Sequence, residues 1–222
     1  MSLKSRKSLS QHFLRDPEVA KYLASMVSER PVIEIGCGDG YLSRYLNPDL
    51  CVELDERFLQ YLVEFNPVLA DARKPPYMRG EVFSSLPYSI SKIFLRESST
   101  SSVRRMILIL QSDFVEKLLH EPTYISFMVN YHFILNKLFH IPPSSFLPKP
   151  KVFSTAVEFK RVREYDPAVE KALACLSIYR NKDLKRASTL CGLGEVNEPR
   201  KIRSFAPWEV CELLNLVGYG CA

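Results

Sequence analysis

Three features that could bind a nucleotide-like ligand follow successive apolar runs near the start of the chain. The stretch EIGCGDG at residues 34–40 is a glycine turn, and glycines let the backbone approach a ligand closely. Glu53 ends the next run, where a carboxylate can accept both hydroxyl protons of a ribose, and Asp71 follows a third run. Tyr41 stands where a dinucleotide fingerprint has its third glycine, which argues against an NAD oxidoreductase. The pattern indicates a site for adenosine.

A second motif could hold a flat acceptor base. The sequence SSLPY at residues 84–88 follows a fourth apolar run. Its backbone carbonyl groups could accept protons from an exocyclic amine, while the ring of Tyr88 stacks on the base.

The elements that must position these motifs alternate between strand-like and helical segments. Strands are predicted at residues 32–35, 50–54, 68–70, 81–84, 106–110, 128–138 and 152–161. Such alternation favours βαβ units and a mainly parallel sheet. A proline-rich segment of about a dozen residues joins the last two strands and cannot form a crossover helix, so we expect them to pair antiparallel.

The predicted secondary structure becomes helical after residue 163. Helical spacing predominates at residues 168–179, 182–190 and 208–217, with Gly192 and Gly194 as breakers. A chain of 222 residues accommodates one large and one small domain. We therefore predict a main domain over residues 1–163 and a small helical domain over residues 164–222.

Four motifs resemble those of the KsgA family of ribosomal RNA adenine N6,N6-dimethyltransferases, which are relatives of the Erm methyltransferases. QHFL at residues 11–14 looks like the family's N-terminal element, and EIGCG at 34–38 looks like EIGPG with Cys37 in place of proline. SLPYSIS at 85–91 looks like NLPYNIS, and FLPKPKV at 146–152 looks like FxPxPKV. The resemblance implies a Rossmann-like class I methyltransferase: an α/β fold with a seven-stranded sheet, mostly parallel with the last strand antiparallel, and a small C-terminal helical domain.

The resemblance also implies a reaction, N6-methylation or dimethylation of adenines near the 3′ end of small-subunit ribosomal RNA. The partner would be the immature small ribosomal subunit. The cofactor would be S-adenosylmethionine (SAM), bound by Gln11, His12, Leu14, Gly36, Gly38, Glu53, Asp71 and Ser85. The acceptor adenine would be held by Ser85, Leu86, Pro87, Tyr88 and Phe146, with Tyr88 and Phe146 sandwiching the flipped base.

Ser85 departs from the family motif, which has asparagine at this position. A serine hydroxyl reaches less far and accepts less strongly than an amide carbonyl, and losing one aligned polar contact can cost about 100-fold in rate. A bridging water or Ser84 could compensate. Two alternatives therefore stay open: a SAM-binding assembly factor with weak or lost catalysis, and an Erm-like enzyme acting on large-subunit RNA.

The net charge of +5 is mild, but basic residues gather towards both ends of the chain. The first group contains Lys4, Arg6, Lys7 and Arg15. The second group contains Arg180, Lys182, Lys185, Arg186, Arg200, Lys201 and Arg203. Such clustering suits a phosphate-bearing partner, although a solvated surface has the same composition. The resemblance assigns the second group to ribosomal RNA phosphates.

The six cysteines show neither a CxxC pair nor metal-ligand spacing. We expect buried free thiols, with no zinc site, other metal or disulfide framework. No apolar run approaches the roughly 20 residues of a membrane span, and the basic N-terminal stretch lacks the pattern of a secretory signal. We expect a cytoplasmic protein with no membrane partner, acting as a monomer.

Overall fold

The computed structural model describes residues 11–74 and 79–221 of the chain, which divides into two units. Unit 1 contains Met1–Ser112 and Leu135–Arg161, and unit 2 contains Asp113–Ile134 and Val162–Ala222. The break at Val162 lies close to the boundary predicted at residue 164. Residues 113–134 differ from the prediction, because they belong to the helical unit although the sequence pattern placed them in the main domain.

The described elements alternate in the first half of the chain as the apolar runs indicate. The strands are β1 (Phe13–Leu14), β2 (Val32–Ile35), β3 (Leu50–Glu53), β4 (Pro67–Leu69), β5 (Glu81–Ser84), β6 (Arg105–Gln111), β7 (Phe133–Ile141), β8 (Phe146–Leu147) and β9 (Ser154–Arg161). The α-helices are α1 (Pro17–Ser25), α2 (Ser43–Leu46), α3 (Ser91–Thr100), α4 (Ser112–His120), α5 (Tyr124–His132), α6 (Pro167–Ile178), α7 (Leu184–Cys191) and α8 (Val210–Leu216). Short 3-10 helices lie at Glu56–Tyr61, Val63–Phe65, Tyr88–Ile90, Pro143–Ser145, Ile202–Ser204 and Pro207–Glu209.

Seven strands form one mixed sheet in the order β4-β3-β2-β5-β6-β9-β7. Strands β4, β3, β2, β5 and β6 run parallel, and β9 pairs antiparallel with β6. The predicted fold class, a seven-stranded and mostly parallel methyltransferase sheet, is confirmed. The chain leaves β2 towards β3 on one side and returns to β5 on the other, which creates the crevice at the carboxyl end of β2 where open α/β sheets bind ligands.

The central strands are apolar because the sheet is covered on both faces. All four residues of β2 and the five inner residues of β6 are buried. Val32, Phe83, Ile107 and Ala156, from four different strands, join Leu23 of α1 in one cluster. This packing holds the carboxyl ends of β2 and β5 side by side.

The amino ends of β5 and β6 carry a buried ionic network. Arg105 Nη1 lies 2.6 Å from Glu81 Oε1, and Arg105 Nε lies 2.7 Å from Glu158 Oε1. The side chains of Arg105, Glu81 and Glu158 are 15%, 1% and 8% exposed. A second hydrogen bond from Arg105 reaches the Met26 carbonyl at 2.8 Å. The network therefore ties three strands to the segment after α1.

The strand predicted at residues 128–138 is wrong in its first half, since α5 extends to His132 and β7 begins at Phe133. Thr123 caps α5, accepting from the Ser126 amide in a capping box. The buried residues of α5 lie on all sides of the helix, so its sequence shows no polar face that would distinguish a buried helix from a buried strand.

Unit 2 has a core of its own. It includes Phe127 from α5, Leu173 from α6, Ala187 from α7, Phe205, and Leu213 from α8. The three helices predicted after residue 163 are confirmed, with bounds shifted by at most two residues at each end. Within the described part of the chain, no helix is long and apolar enough to cross a membrane.

The expectation of free thiols is wrong for four cysteines. Cys175 and Cys191 form a disulfide with a Cα separation of 5.8 Å, and Cys211 and Cys221 form another at 5.1 Å. The first joins α6 to α7, and the second is brought together because the Cys221 amide donates to Asn215 Oδ1 and folds the chain end back onto α8. Sequence spacing does not reveal these tertiary contacts. Cys37 and Cys51 are free and buried, as expected.

Candidate active site

A cavity of about 460 Å³ opens at the carboxyl ends of β2, β3 and β5 in unit 1. This volume lies within the range of roughly 300–1,000 Å³ that is typical of pockets for cofactors and other small ligands. Ten residues predicted to form the site line it: Gln11, His12, Leu14, Gly36, Gly38, Glu53, Asp71, Ser85, Leu86 and Pro87. The two motifs that the sequence separates by about 50 residues therefore share one cavity.

The glycine turn forms the wall at the end of β2. Gly36 and Gly38 have φ angles of 74° and 55°, in the left-handed region that residues with a Cβ rarely adopt. A Cβ at Gly36 would meet nothing within 4 Å, whereas one at Gly38 would lie 2.8 Å from Phe13 Cε1. The two glycines are therefore needed for different reasons. Gly36 is needed for its left-handed backbone, and Gly38 is needed both for its left-handed backbone and because a Cβ there would clash with the Phe13 ring.

This difference predicts unequal effects of alanine. Gly36→Ala should destabilise the protein by about 1–2 kcal/mol, the cost of left-handed backbone. Gly38→Ala should cost about 1–3 kcal/mol more, because Phe13 must shift from its edge contact with Phe58, whose ring centroid lies 5.4 Å away. Urea unfolding of both variants measures the difference. Equal losses would show that the Phe13 ring yields without cost.

Glu53 is held in place by backbone amides. Its Oε2 accepts from the Gly38 amide at 2.7 Å, and its Oε1 accepts from the amides of Leu54 and Asp55 at 2.9 and 2.8 Å. The side chain is only 6% exposed, and burial raises the pKa of Glu53 although the three amides favour its charged form. The carboxylate is a fixed acceptor in the cavity wall, as ribose recognition requires.

Asp71 lines the cavity as predicted, but it is not alone there. Arg73 Nη2 lies 2.6 Å from Asp71 Oδ2, and the Arg73 amide donates to Asp71 Oδ1 at 2.9 Å. The hydrogen bond with the Arg73 side chain lowers the pKa of Asp71, so the carboxylate is charged at neutral pH. Arg73 itself also lines the cavity. No motif in the sequence marks Arg73 as a site residue.

The N-terminal motif reaches the cavity through a small two-stranded sheet. Phe13 and Leu14 of β1 pair with Leu147 and Phe146 of β8. His12 Nδ1 donates to the Pro148 carbonyl at 2.7 Å. This pairing places Gln11, His12 and Leu14 in the cavity wall although they lie outside the main sheet.

Gln11 extends the polar wall towards the 3-10 helix after β3. Its Nε2 donates to Asp55 Oδ2 at 3.3 Å. The hydrogen bond from Arg57 holds the pKa of Asp55 down at about 2, so this carboxylate is charged at neutral pH.

The acceptor motif forms the wall after β5. Ser85, Leu86 and Pro87 line the cavity, while the hydroxyl of Tyr88 lies 2.6 Å from Ser154 Oγ. The Tyr88 ring stacks with His12 at a centroid distance of 5.9 Å. Tyr88 is therefore oriented from two sides.

Two side chains named for this region have contacts of their own. Ser84 is buried and its hydroxyl donates to the Ile35 carbonyl at 2.6 Å, so it is engaged and does not take the place of an asparagine. Phe146 is 5% exposed and packs in the unit 1 core with Leu14, so core contacts cover most of its ring. Both residues look like site residues by position, but core contacts decide where their side chains lie.

Arg15 and Asp39 also line the cavity, although they were not predicted to do so. Arg15 and Asp39 form a two-point ion pair, with nitrogen–oxygen distances of 2.6 and 3.2 Å. The Arg15 guanidinium lies 5.2 Å from the centre of the Tyr41 ring. The available signal was position alone, since Arg15 follows QHFL directly and Asp39 lies within the glycine turn.

Glu34, Cys37 and Cys51 form a buried group beside the turn, each offering one potential metal-ligand atom within 4.8 Å of the others. Burial raises the pKa of Glu34 to about 8 and that of Cys37 well above its usual value. Burial therefore favours the protonated forms of Glu34 and Cys37. The expected absence of a metal stays a prediction.

The second group of basic residues gathers in unit 2. The Arg203 amide donates to the Arg180 carbonyl at 2.9 Å, and the Ile202 amide donates to the Lys182 carbonyl at 3.1 Å. Six of the seven predicted RNA-binding side chains are exposed: Arg180, Lys182, Lys185, Arg186, Lys201 and Arg203. Arg200 is engaged, because it pairs with Glu198 and lies 4.2 Å from the centre of the Phe205 ring. Of the first group, Lys4, Arg6 and Lys7 lie outside the described residues.

Comparisons with known proteins show similarity over most of the chain. A family model described as ribosomal RNA adenine dimethylase matches residues 2–176. A probable ribosomal RNA small subunit methyltransferase A of Pyrobaculum aerophilum is 32% identical over 203 residues, covering 82% of this chain and 87% of that protein. The ribosomal RNA small subunit methyltransferase A of Mesomycoplasma hyopneumoniae strain 232 is 29% identical over 69% of this chain and 68% of its own length.

Solved structures show the same fold. A dimethyladenosine transferase from Plasmodium falciparum has a TM-score of 0.73 at 19% identity, covering 95% of this chain and 100% of that one. The 23S rRNA methyltransferase ErmE has a TM-score of 0.68 at 20% identity, covering 92% and 99%. The family model spans well over half of the residues, and the Pyrobaculum relative is similar over most of its length. The chain therefore belongs to the ribosomal RNA adenine dimethylase family.

Proposed function

We propose that the protein transfers methyl groups from SAM to the N6 amines of adenines in small-subunit ribosomal RNA, adding two methyls to each target during ribosome biogenesis. One observation carries the proposal: the glycine turn with Glu53 and the SLPY motif line the same cavity. A cofactor bound on the first would face a base bound on the second. The names of the relatives support the choice of small-subunit RNA.

The cofactor side of the cavity fits SAM. Glu53 is fixed by three amides and would accept the ribose hydroxyls, while Asp71 would accept from the adenine amine. The backbone at Gly36 would approach the ligand closely, because no side chain stands there. When bound, SAM supplies an electrophilic methyl on a sulfonium. Gln11, His12 and Leu14 would close the pocket from the N-terminal strand.

An adenine amine is a poor nucleophile because its lone pair is delocalised into the ring. The acceptor side of the cavity must therefore activate this amine for attack on the methyl group. The Leu86 carbonyl and the Ser85 hydroxyl would accept hydrogen bonds from the two N–H groups of the amine and so localise the lone pair on nitrogen. The Tyr88 ring would stack on the base and keep the amine in line. Phe146 would complete the sandwich only after leaving its core contacts. Proximity and orientation thus supply much of the rate.

Unit 2 would bind the RNA through its exposed basic residues, which suit phosphates. The specific partner would be the immature small subunit, with its folded RNA. Cytoplasmic location, action as a monomer and the absence of a membrane partner belong to this proposal.

The proposal is tested by methyl transfer from labelled SAM to small subunits that lack the modification, with the product nucleoside read by mass spectrometry. We expect dimethyladenine from the wild type. Ser85→Asn should raise kcat about tenfold, because an amide carbonyl reaches further and accepts more strongly than a hydroxyl. Its affinity for SAM, measured by calorimetry, should change little.

Other outcomes favour other functions. SAM binding without product in the wild type, with activity restored by Ser85→Asn, would favour the assembly factor with lost catalysis. Product on large-subunit RNA and none on the small subunit would favour the Erm-like alternative. No SAM binding at all would contradict both the proposal and the assembly factor.

A further inference from the structure

We infer that the segment Leu147–Phe153, the PKP loop, is an RNA-contacting surface beside the acceptor site. Lys149 and Lys151 bind phosphates flanking the target adenine, and Phe153 stacks on a neighbouring unpaired base. The inference rests on the proposed function and adds a substrate contact in unit 1, apart from the basic residues of unit 2.

The PKP loop is tied at both ends to residues around the acceptor site. At its start, Leu147 pairs with Phe13, and the Pro148 carbonyl accepts from His12. At its end, Ser154 Oγ lies 2.6 Å from the Tyr88 hydroxyl. His12 and Tyr88 stack on each other, so both ends meet at one place. RNA that delivers a base to Tyr88 must pass close to this loop.

Backbone contacts anchor the loop near both ends. The Phe153 carbonyl accepts from the Ser112 amide at 3.0 Å, and Pro150 is buried. The Arg15 amide donates to the Ser145 carbonyl at 2.8 Å just before the loop. Side chains that project from such a segment are pre-organised, which lowers the entropic cost of binding.

The side chains that project into solvent have the chemistry of a nucleic-acid surface. Leu147 and Phe153 are 58% and 57% exposed. Such exposure is unusual for a phenylalanine ring on an anchored segment. Lys149 and Lys151 are exposed between them, and within the described residues neither ammonium has an ion-pair partner. Alternating cations and an aromatic ring match an unpaired RNA strand, where phosphates alternate with bases that can stack.

The charge of the loop favours RNA over a protein partner. Residues 147–153 contain two lysines and no acidic residue, so the loop is purely cationic. A cationic segment next to a base-binding motif is complementary to a polyanion that carries bases.

The test compares loop variants with a matched control at the opposite ends of the strands. The double variant K149A/K151A and the single variant Phe153→Ala are measured beside Arg104→Ala, which removes an exposed cation at the amino end of β6. The probe is the unmodified 3′-terminal hairpin of small-subunit ribosomal RNA. Binding is measured by fluorescence anisotropy at several salt concentrations, and turnover is measured on unmodified small subunits.

We expect K149A/K151A to bind the RNA about tenfold more weakly. The slope of log affinity against log salt should become shallower by about 1.4 to 1.8, since each phosphate contact contributes roughly 0.7 to 0.9. Phe153→Ala should lose about tenfold in affinity without a change in slope, and Phe153→Tyr should restore it, because stacking needs only an aromatic ring. Arg104→Ala should match the wild type, and SAM affinity should stay constant throughout.

Equal affinity and slope for K149A/K151A and Arg104→Ala, in a wild type that methylates the small subunit, would overturn the loop assignment alone. A wild type that binds the hairpin but transfers no methyl groups would instead contradict the proposed function, and the slope comparison would still decide the role of the loop. Failure of Phe153→Tyr to restore binding would overturn the stacking role.

Discussion

Glu53→Ala should weaken SAM binding by about a thousandfold and abolish methyl transfer at ordinary cofactor concentrations. The carboxylate is placed to accept two ribose hydroxyls, and hydrogen bonds to a charged group contribute about 1.5–3 kcal/mol each. Its loss also leaves the amides of Gly38, Leu54 and Asp55 without their acceptor, so the glycine turn loses its attachment to the end of β3. Calorimetric titration with SAM measures the effect.

The matched control is Glu56→Ala, which removes an exposed carboxylate three residues further along. It should bind SAM like the wild type. Glu53→Gln keeps the shape and one acceptor, so its affinity should lie between those of the wild type and Glu53→Ala. Urea unfolding separates lost binding from lost folding. If the Glu53→Ala variant folds and its affinity for SAM stays within tenfold of the wild type, Glu53 does not bind the cofactor.

Arg105→Met should destabilise the protein by about 3–5 kcal/mol at pH 7, the cost of leaving a buried ion pair without one partner. Arg105 serves two buried carboxylates, Glu81 and Glu158, and both would lose their strongest cation. The free energy of unfolding in urea measures the loss. Arg104→Met, a change at the exposed neighbouring residue, should cost less than about 0.5 kcal/mol.

The pH dependence of stability should also reverse in Arg105→Met. Burial alone would raise the pKa of Glu81 and Glu158, but hydrogen bonds from Ser28 and Arg105 to Glu81, and from Arg105 and Asn136 to Glu158, hold both below 4.5. In the wild type their stabilisation is therefore present above pH 4.5 and is lost as the pH falls further. Without Arg105, burial raises both pKa values in the folded state. The variant should then gain stability between pH 7 and pH 5, and a parallel loss in both proteins would contradict this account.

The centre of the sheet was predictable because its strands β2, β3 and β5 are short, apolar and separated by turn residues. Strands β2 and β5 have the predicted bounds, and parallel strands present their carboxyl ends at one edge. Glu53 ends β3, Asp71 lies two residues after β4, and the SLPY motif follows directly after β5. Their convergence on one cavity therefore follows from the strand order, without knowledge of side-chain contacts.

The errors share one cause, since each depends on tertiary packing that leaves no local pattern. Buried surroundings hide the period of α5, so it resembled a strand. The disulfide between Cys175 and Cys191 depends on how α6 packs against α7. Phe146 carries the family motif, yet its ring lies in the core. Arg15, Asp39 and Arg73 were missed because no local pattern distinguishes a charged residue in a cavity wall from one on a solvated surface.

Because β1 pairs with β8, the proposed SAM and RNA sites both involve this two-stranded sheet. His12 touches the cavity from β1, and the same residue holds the Pro148 carbonyl at the start of the PKP loop. A cofactor that contacts His12 would favour the position of the Pro148 carbonyl seen here, and so would favour RNA binding on the loop. Linkage makes this effect reciprocal: RNA must tighten cofactor binding by the same factor. The β1–β8 pair would thus couple the two binding sites, and product RNA leaving the loop would weaken cofactor binding by the same factor.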